Sequence, residues 1–411
     1  MVPNGWTPSQ VGDIANFSSG GTPSKQQPEY WGGTEPWISG KDLKTHYLET
    51  SIDTLTEAGF QAAKKAPKGS SLILVRGMTL LKDFPVGYAT REVAFNQDLK
   101  ALVPAKNVDG LFLSFLLVAE KHKILQLVST AGHGTGRLDT HSIQDHPVNL
   151  PPPPEQKKIA KILSTWDKAI TTTEQLLANS QQQKKALMQQ LLTGKKRLLD
   201  KNGVRFNGEW KWLKVSDLLK VRKEKQVPTE NVPLFSLTIE DGITPKSDRY
   251  NREFLVKNTD EKKYKLVKPK DIVYNPANLR WGAINFSRID HSVVVSPIYE
   301  VLFLKDENKS SLEFVAQKLM TPDQIGRFAA MVEGTLVERM AVKIEPFLAT
   351  KLSVPPTLEE QRKIAAVLSN SDQEIAALQQ KLDALKQEKK ALMQQLLTGK
   401  RRVKVDEMEI A

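Results

Sequence analysis

The sequence contains twice the stretch that decides its fold, first as Glu155-Gln156-Lys157-Lys158-Ile159-Ala160 and again as Glu360-Gln361-Arg362-Lys363-Ile364-Ala365. Each copy runs on to the same ending, Lys-Lys-Ala-Leu-Met-Gln-Gln-Leu-Leu-Thr-Gly-Lys. The copies align without a gap over 43 positions, 155–197 and 360–402, and 25 of these are identical. An ungapped repeat of this length indicates an internal duplication, which organises the rest of the chain.

Each copy has the apolar period of a long coiled-coil helix. Alternating steps of four and three residues from Ile159 to Leu191 meet seven apolar side chains in ten, and the same steps from Ile364 to Leu396 meet eight. A 3.5-residue period is the coiled-coil repeat. Thr357 precedes the second copy with capping-box spacing, and Thr-Gly followed by Lys and Arg closes both copies. A single amphipathic helix on each globular core is the alternative, although two copies in one register are natural partners.

Length and composition narrow the class of protein. The chain has 411 residues and no cysteine, so it has room for two or three domains and holds no disulfide or thiolate metal site. The N-terminal residues lack the basic-then-apolar pattern of a signal peptide, and the longest apolar run, 111–119, is too short to span a bilayer. We therefore expect a soluble, cytoplasmic protein that does not enter the membrane.

The net charge of +12 is unevenly distributed. Residues 1–154 carry 14 Lys and Arg against 14 Asp and Glu, whereas the first repeat, 155–197, carries nine against three. A basic chain suggests a polyanionic partner. The neutral first domain would bind such a partner only through local clusters of its cations.

The repeat divides the chain into two domains, two helices and a tail. The predicted segments are 1–150 (domain 1), 151–197 (helix 1), 198–354 (domain 2), 355–402 (helix 2) and 403–411 (the tail). The domains resemble each other faintly, since Trp6, Val11 and Asp13 match Trp210, Val215 and Asp217 at an offset of 204.

Apolar runs and turn residues predict mixed strands and helices in both domains. In domain 1 we predict a buried strand over 71–77 and a helix over 111–127. In domain 2 we predict strands near 234–238, 271–274, 293–296 and 299–304, and a helix near 311–319. Strands and helices without a regular β-α alternation favour an α+β or mixed α/β fold.

Three short segments partly match motifs for phosphate binding, methyl transfer or metal binding. The segment 132–137, Gly-His-Gly-Thr-Gly-Arg, lacks the Lys-Ser/Thr ending of a phosphate-binding loop and indicates a loop near bound polyanion. The segment 274–278, Tyr-Asn-Pro-Ala-Asn, lacks the second proline and the aromatic residue of amino-methyltransferases. His141 and His146 flank Asp145 without further metal-ligand spacing. The sequence thus predicts no catalytic residue, no cofactor site and no metal site on this chain.

Two dissimilar domains, each followed by a nearly identical helix that opens with Glu-Gln-Lys/Arg-Lys-Ile-Ala, resemble the specificity subunit of a Type I restriction-modification system. The segments 20–23 (Gly-Gly-Thr-Pro), 36–38 (Pro-Trp-Ile) and 95–98 (Phe-Asn-Gln-Asp) are also similar to frequent signatures of that family. Domain 2 departs from the pattern, because Val295-Ser296-Pro297 stands where Phe-Asn-Gln is common.

The resemblance implies a fold and a division of labour. The domains would be target recognition domains, each reading half of a split sequence in double-stranded DNA through the major groove. The helices would pair antiparallel and hold the domains apart in a pseudo-twofold arrangement. Two methylation subunits would supply the S-adenosylmethionine site and adenine N6 transfer. Restriction subunits would add ATP- and Mg²⁺-dependent translocation and cleavage.

Base reading falls to polar side chains on loops, because Arg and Lys pair with guanine and Asn and Gln with adenine. Our candidates are Lys25, Lys41, Arg76, Lys82 and Arg137 in domain 1, and Arg222, Lys223, Lys225, Asn278, Arg280 and Arg339 in domain 2. The basic ends 195–197 and 400–402 would contact phosphates or complete the helix dipole. A coiled-coil scaffold that joins two protein-binding domains, without nucleic acid, is the alternative function.

Overall fold

A computed structural model describes residues 2–130, 134–239, 242–245, 263–333 and 340–405. The chain forms two compact units, in which residues 1–175 join 380–411 and residues 176–379 stand together. Unit 1 therefore holds domain 1, the start of helix 1 and the end of helix 2. Unit 2 holds the end of helix 1, domain 2 and the start of helix 2. Each unit contains one domain and parts of both repeat helices. The segments of unit 1 come from both ends of the chain, whereas unit 2 is one continuous segment.

Domain 1 is built mainly from short strands. The strands are β1 (Thr7–Gln10), β2 (Ala15–Ser19), β3 (Trp31–Ile38), β4 (Tyr47–Leu48), β5 (Thr54–Leu55), β6 (Lys65–Ala66), β7 (Ser71–Leu74), β8 (Arg76–Gly77), β9 (Val86–Ala89), β10 (Val93–Phe95), β11 (Leu99–Pro104), β12 (Ser129–Thr130), β13 (Gly136–Arg137) and β14 (Pro147–Leu150). The helices are α1 (Val11–Ile14), α2 (Glu57–Ala62), α3 (Gly110–Leu125) and α4 (Thr140–Gln144), followed by the first repeat helix α5 (Pro153–Leu191).

Domain 2 and the second repeat helix follow the same plan. The strands are β15 (Lys211–Lys214), β16 (Leu219–Val221), β17 (Lys225–Gln226), β18 (Phe235–Thr238), β19 (Gly242–Pro245), β20 (Tyr264–Val267), β21 (Ile272–Tyr274), β22 (Ile284–Phe286), β23 (Val293–Val295), β24 (Glu300–Leu304) and β25 (Lys351–Val354). The helices are α6 (Val215–Leu218), α7 (Leu312–Leu319), α8 (Pro322–Ala330), α9 (Ile344–Ala349) and the second repeat helix α10 (Leu358–Leu396).

The central sheets of the two domains correspond. Domain 1 has the strand order β2-β11-β7-β9-β4, and domain 2 has β16-β24-β21-β22. β7 and β21 are buried along their whole length, as their Leu-Ile-Leu and Ile-Val-Tyr runs predict. The predicted helix over 111–127 is α3, and the mixed α/β class is confirmed. The strand predicted over 71–77 is divided, because Val75 leaves β7 and Arg76–Gly77 joins a sheet with β12 and β13.

The repeat helices pack antiparallel within each unit. In unit 1, Asp167 of α5 binds Lys389 of α10. In unit 2, Lys184 of α5 binds Asp372 of α10 at the equivalent repeat positions. The twenty predicted seam positions are all buried or half-buried. The 3.5-residue period therefore located the apolar face of both helices correctly.

A carboxylate at the start of one repeat helix binds an arginine that follows the other. In unit 1, Arg402 donates from Nε and Nη2 to Glu155, at 2.7 Å each, and from Nη1 to the Asn4 carbonyl. In unit 2, Arg197 donates to Glu360 at 2.5 and 2.7 Å, and to the Gly208 and Asn207 carbonyls at 2.9 and 3.0 Å. We call each of these ion pairs a junction.

The junctions differ from the expectation for the basic helix ends. Arg197 and Arg402 are bound by carboxylates instead of standing free for phosphates. The predicted capping box is half formed, since Thr357 accepts from the Glu360 amide while both Glu360 oxygens accept from Arg197. The left-handed caps are confirmed at Gly194 and Gly399, with φ of 74° and 67°.

The glutamine beside each junction carboxylate ties the repeat helix to its domain. Gln156 is fully buried, accepts from the Asp109 amide at 2.9 Å and donates to the Pro151 carbonyl at 2.8 Å. Gln361 accepts from the Ser311 amide at 2.9 Å and donates to the Pro355 carbonyl at 3.2 Å. Asp109 and Ser311 are the N-caps of α3 and α7, so the Glu-Gln pair fixes one domain helix in each unit.

Candidate nucleic-acid interface

Four of the candidate residues lie in the same loop of the two domains. This loop, which we call the 3₁₀ loop, covers residues 75–85 between β7 and β9, and residues 275–283 between β21 and β22. It contains the 3₁₀ helix Met78–Leu81 in domain 1 and Leu279–Trp281 in domain 2. Arg76 and Lys82 belong to the first loop, and Asn278 and Arg280 belong to the second.

In domain 1 the 3₁₀ loop places two arginines side by side. β8 pairs with β13 in a register that sets Arg76 directly opposite Arg137. Both side chains are exposed, and no carboxylate in the described part of the chain lies within ion-pair distance of either. Like charges directly opposite each other destabilise a strand pair. The arrangement therefore favours an anion that would relieve the repulsion.

The exposed face of this loop is partly apolar. Met78 and Leu81 are 65% and 43% exposed, and Lys82 follows them at the surface. Gly136 packs against the 3₁₀ helix so closely that a Cβ there would lie 2.8 Å from the Cβ of Leu80. The end of the glycine-rich segment 132–137 therefore forms the strand β13, while Gly132 and His133 lie outside the described residues.

In domain 2 the 3₁₀ loop places an arginine over the ring of an exposed tryptophan. The Arg280 guanidinium carbon lies 4.0 Å from the centroid of the Trp281 ring, and Trp281 is 57% exposed. Arg280 Nη1 lies 3.3 Å from the Met340 sulfur. Arg280 Nε is buried and has no hydrogen-bond partner among the residues that the structure describes.

The Tyr-Asn-Pro-Ala-Asn segment forms the start of this loop. Tyr274 is fully buried and stacks on Phe347 with ring centroids 4.4 Å apart, and burial raises the pKa of its hydroxyl. Asn275 Oδ1 accepts from the Ala277 amide at 3.1 Å, which makes the turn. Asn278 is the N-cap of the 3₁₀ helix and makes no side-chain cap bond.

Lys25 and Lys41 line a separate groove of about 410 Å³ in domain 1. The three family-like segments meet there, because the Trp37 indole donates to the Gly21 carbonyl at 3.1 Å and the Gly21 amide donates to the Phe95 carbonyl at 2.9 Å. Polar side chains complete the lining: Thr22, Ser39, Asp53, Asn96 and Gln97. The groove therefore contains positively charged donors, one carboxylate and several neutral polar groups.

The remaining candidates of domain 2 have different surroundings. Arg222 is 11% exposed and donates to Asp271 from Nε and Nη2 at 2.5 and 2.8 Å, and these bonds raise its pKa. Because its donors are already bound, Arg222 differs from the expected free side chain on a loop. Lys223 and Lys225 are exposed, and Arg339 lies outside the described residues.

His141 and His146 do not share a metal site in the described part of the chain. His146 is buried and lies 3.0 Å from Glu120 Oε2, whereas His141 belongs to α4. Over residues 2–130, 134–239, 242–245, 263–333 and 340–405, no three His, Asp or Glu side chains converge as a metal site would need. Within the same ranges, no helix is long and apolar enough to cross a membrane.

The fold and the paired loops define a class of protein with two related α+β domains on a duplicated helix pair. A family model described as the Type I restriction modification DNA specificity domain matches residues 3–179 and again residues 207–387. The chain therefore belongs to this family and carries its domain twice, and the resemblance seen in the sequence is confirmed.

Relatives of known name are similar to parts or all of the chain. The specificity subunit of a Type I restriction enzyme of Escherichia coli is 30% identical over 160 residues, which cover 38% of this chain and 40% of that subunit. The match to the MjaIX specificity subunit of Methanocaldococcus jannaschii covers 39% of that protein. The chain thus spans about two fifths of the length of these two relatives. The MjaVIII specificity subunit of the same organism is 24% identical, over 98% of this chain and 94% of its own length.

Solved structures share the fold. The crystal structure of a Type I restriction-modification S subunit from M. genitalium has a TM-score of 0.62 at 14% identity, covering 97% of this chain and 99% of that one. A structure concerned with assembly and conformational transition of the Type I system has a TM-score of 0.54 at 16% identity and covers 98% of this chain. At these identities the comparison shows the fold alone.

Proposed function

We propose that this chain is the DNA sequence-specificity subunit of a Type I restriction-modification complex. Each domain would read one half of a split target in double-stranded DNA. The observation that carries the proposal is the 3₁₀ loop, which has the same place in both central sheets and carries, in both, cations without a carboxylate partner among the described residues. Both junctions join a glutamate of one repeat helix to an arginine after the other, whereas the two loops differ in sequence, and this combination suits two readers of different half-sites on one support.

The catalytic work would belong to partner subunits. Two methylation subunits would bind S-adenosylmethionine and methylate adenine N6, and restriction subunits would use ATP and Mg²⁺ to translocate and cleave DNA. The names of the relatives support this division, because all three are specificity subunits of restriction enzymes. The chain itself would bind neither cofactor, and the complex would act in the cytoplasm, where it meets DNA.

The proposed interface keeps most of the candidate residues. Arg76, Lys82 and Arg137 form its centre in domain 1, and Lys25 and Lys41 belong to it through their separate groove. Asn278 and Arg280 form its centre in domain 2, and the exposed Lys223 and Lys225 add charge. Exposed cations of this kind supply counterion release and phosphate contacts, whereas fewer side chains reach base edges.

Co-expression with the cognate methylation subunit, followed by sequencing of the modified adenines, tests the function. We expect one bipartite motif with an unread gap, and no methylation when this chain is omitted. The purified chain alone should transfer no methyl group from labelled S-adenosylmethionine. Methylation that ignores a split motif, or a complex that fails to bind DNA, would instead support the protein-binding scaffold.

A further inference from the structure

We propose that Arg280 reads a guanine in the half-site bound by domain 2, and that Trp281 is the positioning residue that fixes the plane of its guanidinium. This inference rests on the proposed function and adds a named contact to it. Guanine presents O6 and N7 in the major groove, and a planar guanidinium donates to both at once.

The first support is the unmet bonding capacity of Arg280. A guanidinium carries five N–H donors and no acceptor. Arg280 Nε is buried without a partner among the described residues, and Nη1 has a thioether sulfur, which is a weak acceptor. A buried donor without a partner costs free energy. Because Nε is closed to solvent and Nη1 has only a weak acceptor, the Nη1 and Nη2 groups are the donors left to bind the oxygen and nitrogen acceptors of a ligand.

The second support is the rigid setting of the side chain. The Arg280 guanidinium carbon lies over the Trp281 ring, 4.0 Å from its centroid. The 3₁₀ turn below it is closed by bonds from the Trp281 amide to the Asn278 carbonyl and from the Gly282 amide to the Leu279 carbonyl, at 3.0 and 2.9 Å. Stacking on an aromatic ring fixes the guanidinium plane before binding, so less side-chain entropy is lost in the complex.

Other arginines in the described part of domain 2 lack this combination. Arg222 and Arg327 have carboxylate partners, Asp271 and Asp323. Arg288 also stacks on an aromatic ring, 4.4 Å from the Phe286 centroid, but it follows the opposite end of β22 from the 3₁₀ loop. Arg288 is therefore a matched control, since it has the same chemistry at the wrong end of the strand.

The test compares methylated motifs of variant complexes. The whole chain is co-expressed with the cognate methylation subunit, and the modified adenines are sequenced for wild type, Arg280→Ala, Arg280→Lys and Arg288→Ala. We expect one G·C pair of one half-site to become relaxed in Arg280→Ala, with the other half-site unchanged. Discrimination at that pair should fall roughly five- to 150-fold, the range that one bidentate arginine–guanine contact supplies.

Arg280→Lys keeps the charge and loses the planar pair of donors, so it should relax the same base pair while methylation of the original motif persists. Trp281→Ala should weaken discrimination at that pair, and Trp281→Phe should restore part of it. Arg288→Ala should leave the motif unchanged.

Three results would overturn the inference without touching the proposed function. They are a wild-type half-site for domain 2 that contains no G·C pair, an unchanged motif in folded Arg280→Ala, and an equal loss of methylation at all sequences in that variant. If the wild-type complex methylates no split motif, the proposed function itself fails. Thermal melting of each purified complex separates loss of reading from loss of folding.

Discussion

The arginines of the junctions and those of the 3₁₀ loops are the same side chain with different hydrogen-bond partners. At the junctions, Arg197 and Arg402 donate from all three nitrogens to carboxylate or carbonyl oxygens. In the 3₁₀ loops, Arg76 and Arg280 have no carboxylate partner in the described part of the chain. Most of the N–H donors of a junction arginine are thus held by oxygens of its own unit, which leaves it less able to bind a ligand than a 3₁₀-loop arginine.

The two junctions also differ from each other. The Arg197 side chain is 17% exposed, and the Arg402 side chain is 42% exposed, while both partner carboxylates are buried. Trp6 donates from its indole to Glu155 at 3.1 Å, whereas the Trp210 indole nitrogen is buried without a partner among the described residues. Unit 2 therefore relies more heavily on its single arginine.

The largest effect should come from breaking the buried junction. Arg197→Met leaves the buried Glu360 carboxylate unpaired, and such a loss lowers the free energy of unfolding by about 3 kcal/mol. Arg402→Met should cost less, because Trp6 still donates to Glu155 and because the Arg402 side chain is itself 42% exposed. Urea unfolding of the two variants measures the difference. The double variant Arg197→Met/Glu360→Met should recover part of the loss, and equal costs for both single variants would show that the junctions are equivalent.

The second prediction concerns acid stability, which should differ between the units. His46 lies 3.1 Å from Ser114 Oγ and stacks on Phe115, and burial lowers its pKa to about 4. The nearby Asp167 and Lys389 act on this pKa in opposite directions. Unit 2 contains one histidine, His291, which is half exposed. An acid-sensitive histidine is thus a property of unit 1.

The direction in which pH changes the free energy of unfolding follows from the lowered pKa of His46. Above about pH 6.5 this histidine is neutral in both the folded and the unfolded state. Between pH 6.5 and 4 the unfolded chain binds a proton that the folded chain does not, so the free energy of unfolding falls by up to about 3 kcal/mol as the pH falls. His46→Gln should remove this part of the pH dependence. Parallel curves of thermal midpoint against pH for wild type and variant would contradict the assignment.

The third effect should be similar in both units, because the buried glutamines are bound alike. Gln156→Glu would set a carboxylate against the Pro151 carbonyl and lose the donor that now binds it, at a cost of about 2 kcal/mol. Gln361→Glu should cost about the same. Urea midpoints near neutral pH test this equality. A large loss in one variant and none in the other would mean that the Glu-Gln element has different roles in the two units.

The sequence predicted the helices better than the contacts between distant residues. All the positions that the apolar period predicts for the seam are buried or half-buried, and the Thr-Gly pairs identify both left-handed caps, because these features depend on local spacing. The junctions could not be found in the same way, since Arg197 and Glu360 are 163 residues apart. The repeat carries one signal of the junctions, because Glu155 recurs as Glu360 and Arg197 recurs as Arg402. In the structure each glutamate binds the arginine of the other copy.

The candidate interface was predicted residue by residue but not as a surface. Arg76 and Arg137 were chosen separately, and only the register of β8 and β13 brings them together. The sequence indicates Arg222 as a polar side chain on a loop, yet Asp271 binds it from 49 residues away. Neither pairing leaves a local pattern, because strand register and ion pairing across a sheet are decided by the folded core.

The smallest effect should come from Arg76, and it sharpens the contrast with Arg280. A phosphate contact adds affinity for every sequence alike, whereas a base contact distinguishes sequences. Arg76→Gln should therefore weaken DNA binding by the methylation complex about fivefold, and the methylated motif should stay the same. The slope of log K against log salt should become shallower by about 0.9, the value for one lost phosphate contact. Arg137→Gln should act alike, and the double variant should lose less than the sum, because removing one arginine already relieves the repulsion between the two. Binding to a duplex with the target and to one without it, each over a salt series, measures both quantities. A changed base preference with an unchanged salt slope would make Arg76 a base reader, and the two 3₁₀ loops would then work in the same way.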